Sequence, residues 1–148
     1  DAIVEYVYRP AGMTSSGVDG RAAAGIAQGY VGTPPDLELN HATLPGLGSP
    51  AGGTYATADD LRRFALALFD HRLLDRAHTD LWFNRFQEGR SGRGPVGIAG
   101  GAPGVNAELV MNPITRDVIV VMSNRSPPSA ARVAQQLEGE VRGWKDGA

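Results

Sequence analysis

Gly97-Ile98-Ala99-Gly100-Gly101-Ala102-Pro103-Gly104 contains four glycines in eight residues, and two strand-like runs follow it at once. Glycine packed this densely lets a backbone approach another backbone or a ligand closely. None of these side chains can act as acid, base or nucleophile. A backbone built like a site, without site-like side chains, frames the rest of the chain.

Val96–Gly100 is a candidate strand, and Ala107-Glu108-Leu109-Val110-Met111 is a second. Pro113–Asp117 carries turn chemistry, and Val118-Ile119-Val120-Val121-Met122 is β-branched and continuous, as a buried strand is. The links are short, so the strands are expected to be antiparallel neighbours. Pro127-Pro128 then opens a C-terminal helix whose apolar face is expected at Val133, Leu137 and Val141, extended by Trp144.

Upstream, Gly52-Gly53-Thr54-Tyr55-Ala56-Thr57-Ala58-Asp59-Asp60-Leu61 is the strongest helix start. Thr57 is a good N-cap, Asp60 completes a capping-box-like pair, and Asp59 favours the positive helix end. Leu61, Phe64, Ala65 and Leu68 make a buried stripe over a helix expected from about 58 to 70. Leu81, Phe83 and Phe86 point to a second helix around 76–87, followed by a flexible basic loop, Glu88–Pro95. Residues 2–9 have the pattern of an amphipathic helix with Ile3, Tyr6 and Val7 on one face, ended by Pro10. Between these helices lie a short strand around Gly25–Tyr30 and a long surface loop at about 31–53. The fold class is therefore α+β. About three antiparallel strands are flanked by helices in a single partial domain spanning 1–148.

Composition narrows the function. The net charge of −2 gives no general attraction to nucleic acid or anionic membrane, and no apolar run approaches a membrane span. There is no cysteine, which removes disulfides, thiolate nucleophiles and Cys-ligated metals. Thirteen of the fourteen basic residues are Arg, leaving Lys145 as the one candidate for lysine chemistry. The chain starts inside a helical pattern without Met, as a fragment or processed piece would.

No serine is followed by lysine at the third position, so Ser-x-x-Lys is absent, as is Gly-x-Ser-x-Gly, and Gly97–Gly104 contains neither Gly-x-Gly-x-x-Gly nor a Walker lysine. No Tyr has Asn two residues later. His71 and His78 are two helical turns apart with Asp70, Asp75 and Asp80 nearby, but no metal-ligand spacing is met. Neither a metal nor a cofactor is expected. Arg90 and Arg93 make only a faint phosphate grip, and no nucleic-acid partner is expected.

Four stretches in order resemble one family, the serine β-lactamase-like hydrolases: class C β-lactamases, DD-peptidases and related esterases. Tyr6–Gly17 is similar to that family's helix end and turn, and Pro50–Leu61 to its Ala-Gly-Gly-x-x-Ser-Thr-Ala-x-Asp-Leu helix start. Gly97–Gly104 resembles its third-motif strand, and Val118–Asn124 with Pro127-Pro128 its last strand and entry to the final helix. The resemblance implies a three-layer sandwich and acyl-enzyme chemistry on β-lactams, D-Ala-D-Ala peptides or esters, a small-molecule acyl substrate. It also implies a periplasmic or secreted setting, or a cytoplasmic one for esterase-like members.

The third motif maps onto Ile98-Ala99-Gly100 as substrate-binding residues, with Ile98 where a Lys or His is expected. By the same resemblance the amide of Gly101 is the second oxyanion donor. The expectation is therefore a fragment of a serine hydrolase, inactive alone, that dimerises or pairs with an N-terminal half. The alternative is a non-catalytic binding module that keeps the fold.

Overall fold

The computed structural model describes residues 1–19, 24–41, 48–49, 52–86 and 94–146, with side chains as far as 141. Three strands, β3 (Val96–Ala102), β4 (Val105–Met111) and β5 (Val118–Ser123), form an antiparallel sheet in the order β3-β4-β5. Two more, β1 (Tyr30–Thr33) and β2 (Asp36–Leu39), form a separate hairpin. The helices are α1 (Arg9–Ala11), α2 (Ala58–Phe69), α3 (Arg76–Arg85) and α4 (Ser129–Asp146).

Register explains the layering. Val96, Met111 and Val118 stand in one cross-strand row, and Ile98, Leu109 and Val120 in the next. Side chains alternate along a strand, so both rows face the same side. There they pack on Ala65, Leu68 and Phe69 of α2 and Phe83 of α3. The opposite face carries α4, which lies over β4 and β5. The result is helix, sheet and helix, the expected three-layer α+β arrangement.

The helix start at Thr57 forms as its residues dictate, with Asp60 N donating to Thr57 Oγ1 at 3.1 Å. The Asp60 carboxylate does not complete a capping box. It is buried and accepts from Ser15 N and Ser16 Oγ, each at 2.7 Å, tying the turn after α1 to the start of α2. Gly17 and Tyr55 add a two-way backbone bridge beside it.

Several elements differ from expectation. Pro10 does not end the first helix. A wider π-helical turn (Val4–Tyr8) precedes it, Arg9 N bonds to Val4 O, and the chain stays helical until Gly12 at φ 74°. Pro10 has no N–H to give, and the wide turn absorbs that loss. The same turn rotates the buried face to Tyr8 and Ala11, leaving Tyr6 67% exposed. The expected Gly25–Tyr30 strand begins only at Tyr30, and the stretch read as loop from 31 to 53 holds the β1–β2 hairpin. In α3, Phe83 is buried against Phe69 and Trp82, while Leu81 and Phe86 are exposed. In α4, Ala130 and Ala134 meet the sheet, and Val133 and Leu137 remain more than 40% exposed. Small residues let that helix lie close to the strands, so the larger ones flank the contact.

Candidate functional site

The site candidate is the free side of β3. Among the described residues β3 pairs only with β4, so its other side is an open edge. The strand turns into β4 through Pro103-Gly104, with Gly104 at φ 80°, the Pro-then-Gly arrangement a type II turn requires. This turn is held from two directions. Asn40 Nδ2 donates to Pro103 O at 3.0 Å, and Gly104 N donates to Ser126 Oγ at 3.0 Å. Asn40 is buried and packs so tightly on Gly104 that a β-carbon there would stand 2.7 Å from Asn40 Cβ. The β1–β2 hairpin that delivers Asn40 is fixed in turn by Tyr30 N to Asn124 O, 2.9 Å, and by Asn124 Nδ2 to Gln28 O, 3.1 Å.

The sequence-indicated residues divide by strand alternation. Ile98 points to the α2–α3 side and packs, half-buried, on that core. Ala99 and Gly101 belong to the other face and are exposed, as is Gly100. A β-carbon on Gly100 would meet nothing within 4 Å, so Gly100 is not a position of close approach within this chain. Gly101 is one, because a β-carbon there would lie 2.6 Å from Pro127 Cγ and 3.2 Å from Asn106 Nδ2.

The orientation of the Gly100–Gly101 peptide follows from the pairing of Gly100 with Ala107 across β3–β4 and from one side-chain hydrogen bond. Asn106, on β4, donates from Nδ2 to Gly100 O at 2.9 Å, so that carbonyl points toward β4. In a planar trans peptide the next N–H points the opposite way. The Gly101 N–H is therefore directed off the open edge, where a bound group can reach it. Asn106, Asn40 and Ser126 were not indicated by the sequence, and Pro127 was indicated only as the entry to the final helix. The available signal was Asn106, an amide side chain near the start of a mostly apolar strand.

His71 and His78 do not share a helix face: His71 follows the end of α2 in the left-handed region, φ 56°, and His78 lies in the first turn of α3. No group of three or more metal-ligating side chains occurs among the described residues. Arg90, Arg93 and Ser91 lie outside the described residues. Displaced carboxyls occur at helix starts rather than on β3. Asp59 is held below the usual carboxylate range by hydrogen bonds from Arg63 and Arg62, and Asp75 by the backbone and ring of His78. No helix of the described residues is long and apolar enough to cross a membrane.

Comparison with known proteins identifies the fold and the family. No curated protein matches the chain. Among solved structures it is similar to a penicillin binding protein from Bacillus halodurans, at 23% identity and a TM-score of 0.78. That match covers 96% of this chain and 48% of the other, so the chain spans about half the length of that protein. A likeness at this identity speaks for the fold. The family model named Beta-lactamase matches residues 1–142, nearly the whole length over which the helix start, the edge strand and the final helix recur in order, and the chain belongs to that family.

Proposed function

We propose that this chain supplies one wall of a serine acyl-transfer site, with β3 as the substrate-binding edge and the Gly101 amide as an oxyanion donor. The supporting observation is the direction of that amide, away from β4 and off an exposed edge. A backbone N–H fixed before the reaction stabilises charge that develops on a carbonyl oxygen, and one such donor contributes about 10²–10³ in kcat. The nucleophile and its base are not among these 148 residues, which lack Ser-x-x-Lys and Tyr-x-Asn. They would come from polypeptide outside this chain, paired with it or continuous with it. The substrate class is a small acyl compound: a β-lactam, a D-Ala-D-Ala peptide or an ester.

A second reading, a binding module without catalysis, is favoured by one observation. Ile98 stands where the family resemblance calls for Lys or His, and its side chain packs on the α2–α3 core. An aliphatic group there can neither donate a hydrogen bond nor steady an anion.

Intact-mass measurement after incubation with a chromogenic cephalosporin and a nitrophenyl ester tests the first reading. This chain alone is expected to give no turnover and no covalent adduct. Joined to a family segment bearing Ser-x-x-Lys, it is expected to give an acyl adduct. An adduct on this chain alone overturns the assignment of the nucleophile elsewhere. No adduct with a folded joined protein favours the binding module.

A further inference from the structure

We infer that Asn106 is a positioning residue for the Gly101 amide, linking it to the first turn of α4; this rests on the proposed role of Gly101. Asn106 is 7% exposed, and both ends of its side-chain amide are used. Its Oδ1 accepts from Ala130 N at 2.7 Å, and its Nδ2 donates to Gly100 O at 2.9 Å. The amide orientation is not arbitrary: Ala130 N–H can only donate and the Gly100 carbonyl can only accept, so a flipped amide loses both bonds. The Gly100 carbonyl and the Gly101 N–H are opposite ends of one peptide plane. A donor on the first sets the direction of the second and polarises it, as linked hydrogen bonds do.

The chain of contacts runs from α4 through Asn106 to the open edge of β3. Ala130 lies in the first turn of α4, where N–H groups have no partner within the helix. Asn106 takes one of them and passes the polarity to the edge strand. The neighbouring hydroxyls do not replace it. Ser123, its cross-strand partner, accepts from Ser129 Oγ at 2.9 Å, and Ser129 Oγ is also 3.2 Å from Arg125 O. Pro127 closes the α4 side of Gly101, so a shift of the peptide plane in that direction meets the ring. The buried amide thus adds a side-chain donor to the strand pairing of Gly100 with Ala107, and the two together hold the direction of Gly101 N–H.

The test is nuclear magnetic resonance on the uniformly labelled chain. A scalar coupling across the hydrogen bond from Asn106 Nδ2 to the Gly100 carbonyl carbon is expected, and its absence overturns the inference. Asn106→Asp keeps the acceptor for Ala130 and removes the donor to Gly100. In this variant the Gly101 amide nitrogen and proton are expected to move upfield while the Ala130 amide stays in place. A Gly101 resonance unmoved in the folded variant overturns the positioning role and leaves the oxyanion assignment of Gly101 standing. If the variant does not fold, the coupling in the unaltered chain decides. Failure of the Gly101 assignment reads out separately, as an acyl-transfer rate in the joined protein that does not respond to changes at Gly101.

Discussion

Pro127 stands against Gly101 so closely that a β-carbon on the glycine would lie 2.6 Å from Pro127 Cγ. The residue that enters the C-terminal helix thus restricts the residue proposed to face the substrate. Gly101→Ala is expected to destabilise the chain by about 1–3 kcal/mol, the usual cost of overpacking a rigid contact. Gly100→Ala, one residue away in open space, is expected to leave stability nearly unchanged. Urea unfolding of the two variants checks this, and equal midpoints would contradict it.

The Asp60 carboxylate accepts from Ser15 N and Ser16 Oγ while buried at the start of α2. Asp60→Ala leaves both donors without their charged acceptor and is expected to cost about 3 kcal/mol. Thr57→Ala removes only the cap on Asp60 N and is expected to cost about 1 kcal/mol. The order of the two unfolding midpoints is the measurement, and a larger loss at Thr57 would reverse the argument.

Asn40 joins the β1–β2 hairpin to the turn after β3 through its bond to Pro103 O. Asn40→Ala is expected to cost about 1–2 kcal/mol, because the buried Asn40 side chain and its bond to the Pro103 carbonyl are lost. Amide exchange is expected to accelerate at Gly104 and Val105 more than in α2. A uniform change across the chain would argue against a local clamp.

His71 closes α2 in the left-handed region, φ 56°, with its N–H on Leu68 O and that of Arg72 on Ala67 O. Only glycine adopts this conformation without steric cost. His71→Gly is expected to raise stability by about 1 kcal/mol, seen as a higher thermal midpoint.

Asp75 caps α3 through His78 N at 2.9 Å, and Asp59 pairs with Arg62 and Arg63. Both carboxyls titrate below their ordinary value of 3.8 in the folded chain. Their contribution is therefore complete above the unfolded value and is lost as pH falls through the lower folded one. Asp75→Asn is expected to lower stability by a constant amount between pH 6 and 8, where the carboxylate's contribution is complete, and to flatten the acid limb of the stability curve below about pH 4. Chemical denaturation at a series of pH values tests it.

Much of the fold is written locally. Thr57 and the Leu61, Phe64, Ala65, Leu68 stripe specify α2 within two residues of its observed ends, because caps and periodicity act over a few positions. The three strands follow from β-branched runs and short turns. In the first helix Ile3 and Val7 pack as their spacing predicts, but the π-helical turn Val4–Tyr8 changes the period and brings Tyr8 rather than Tyr6 into the core.

The sequence by itself determined α2, the three-stranded antiparallel sheet, the ordered family motifs and the absence of Ser-x-x-Lys and Tyr-x-Asn. Tertiary structure decided what the glycine-rich strand does with each residue. Ile98 joins the core, Gly100 stands in open space, and Gly101 is fixed by Pro127 and Asn106. Those outcomes depend on which side of a pleated strand each residue faces and on partners from β4 and the entry to α4. No local pattern encodes such contacts, since they exist only once strand, hairpin and helix have packed together.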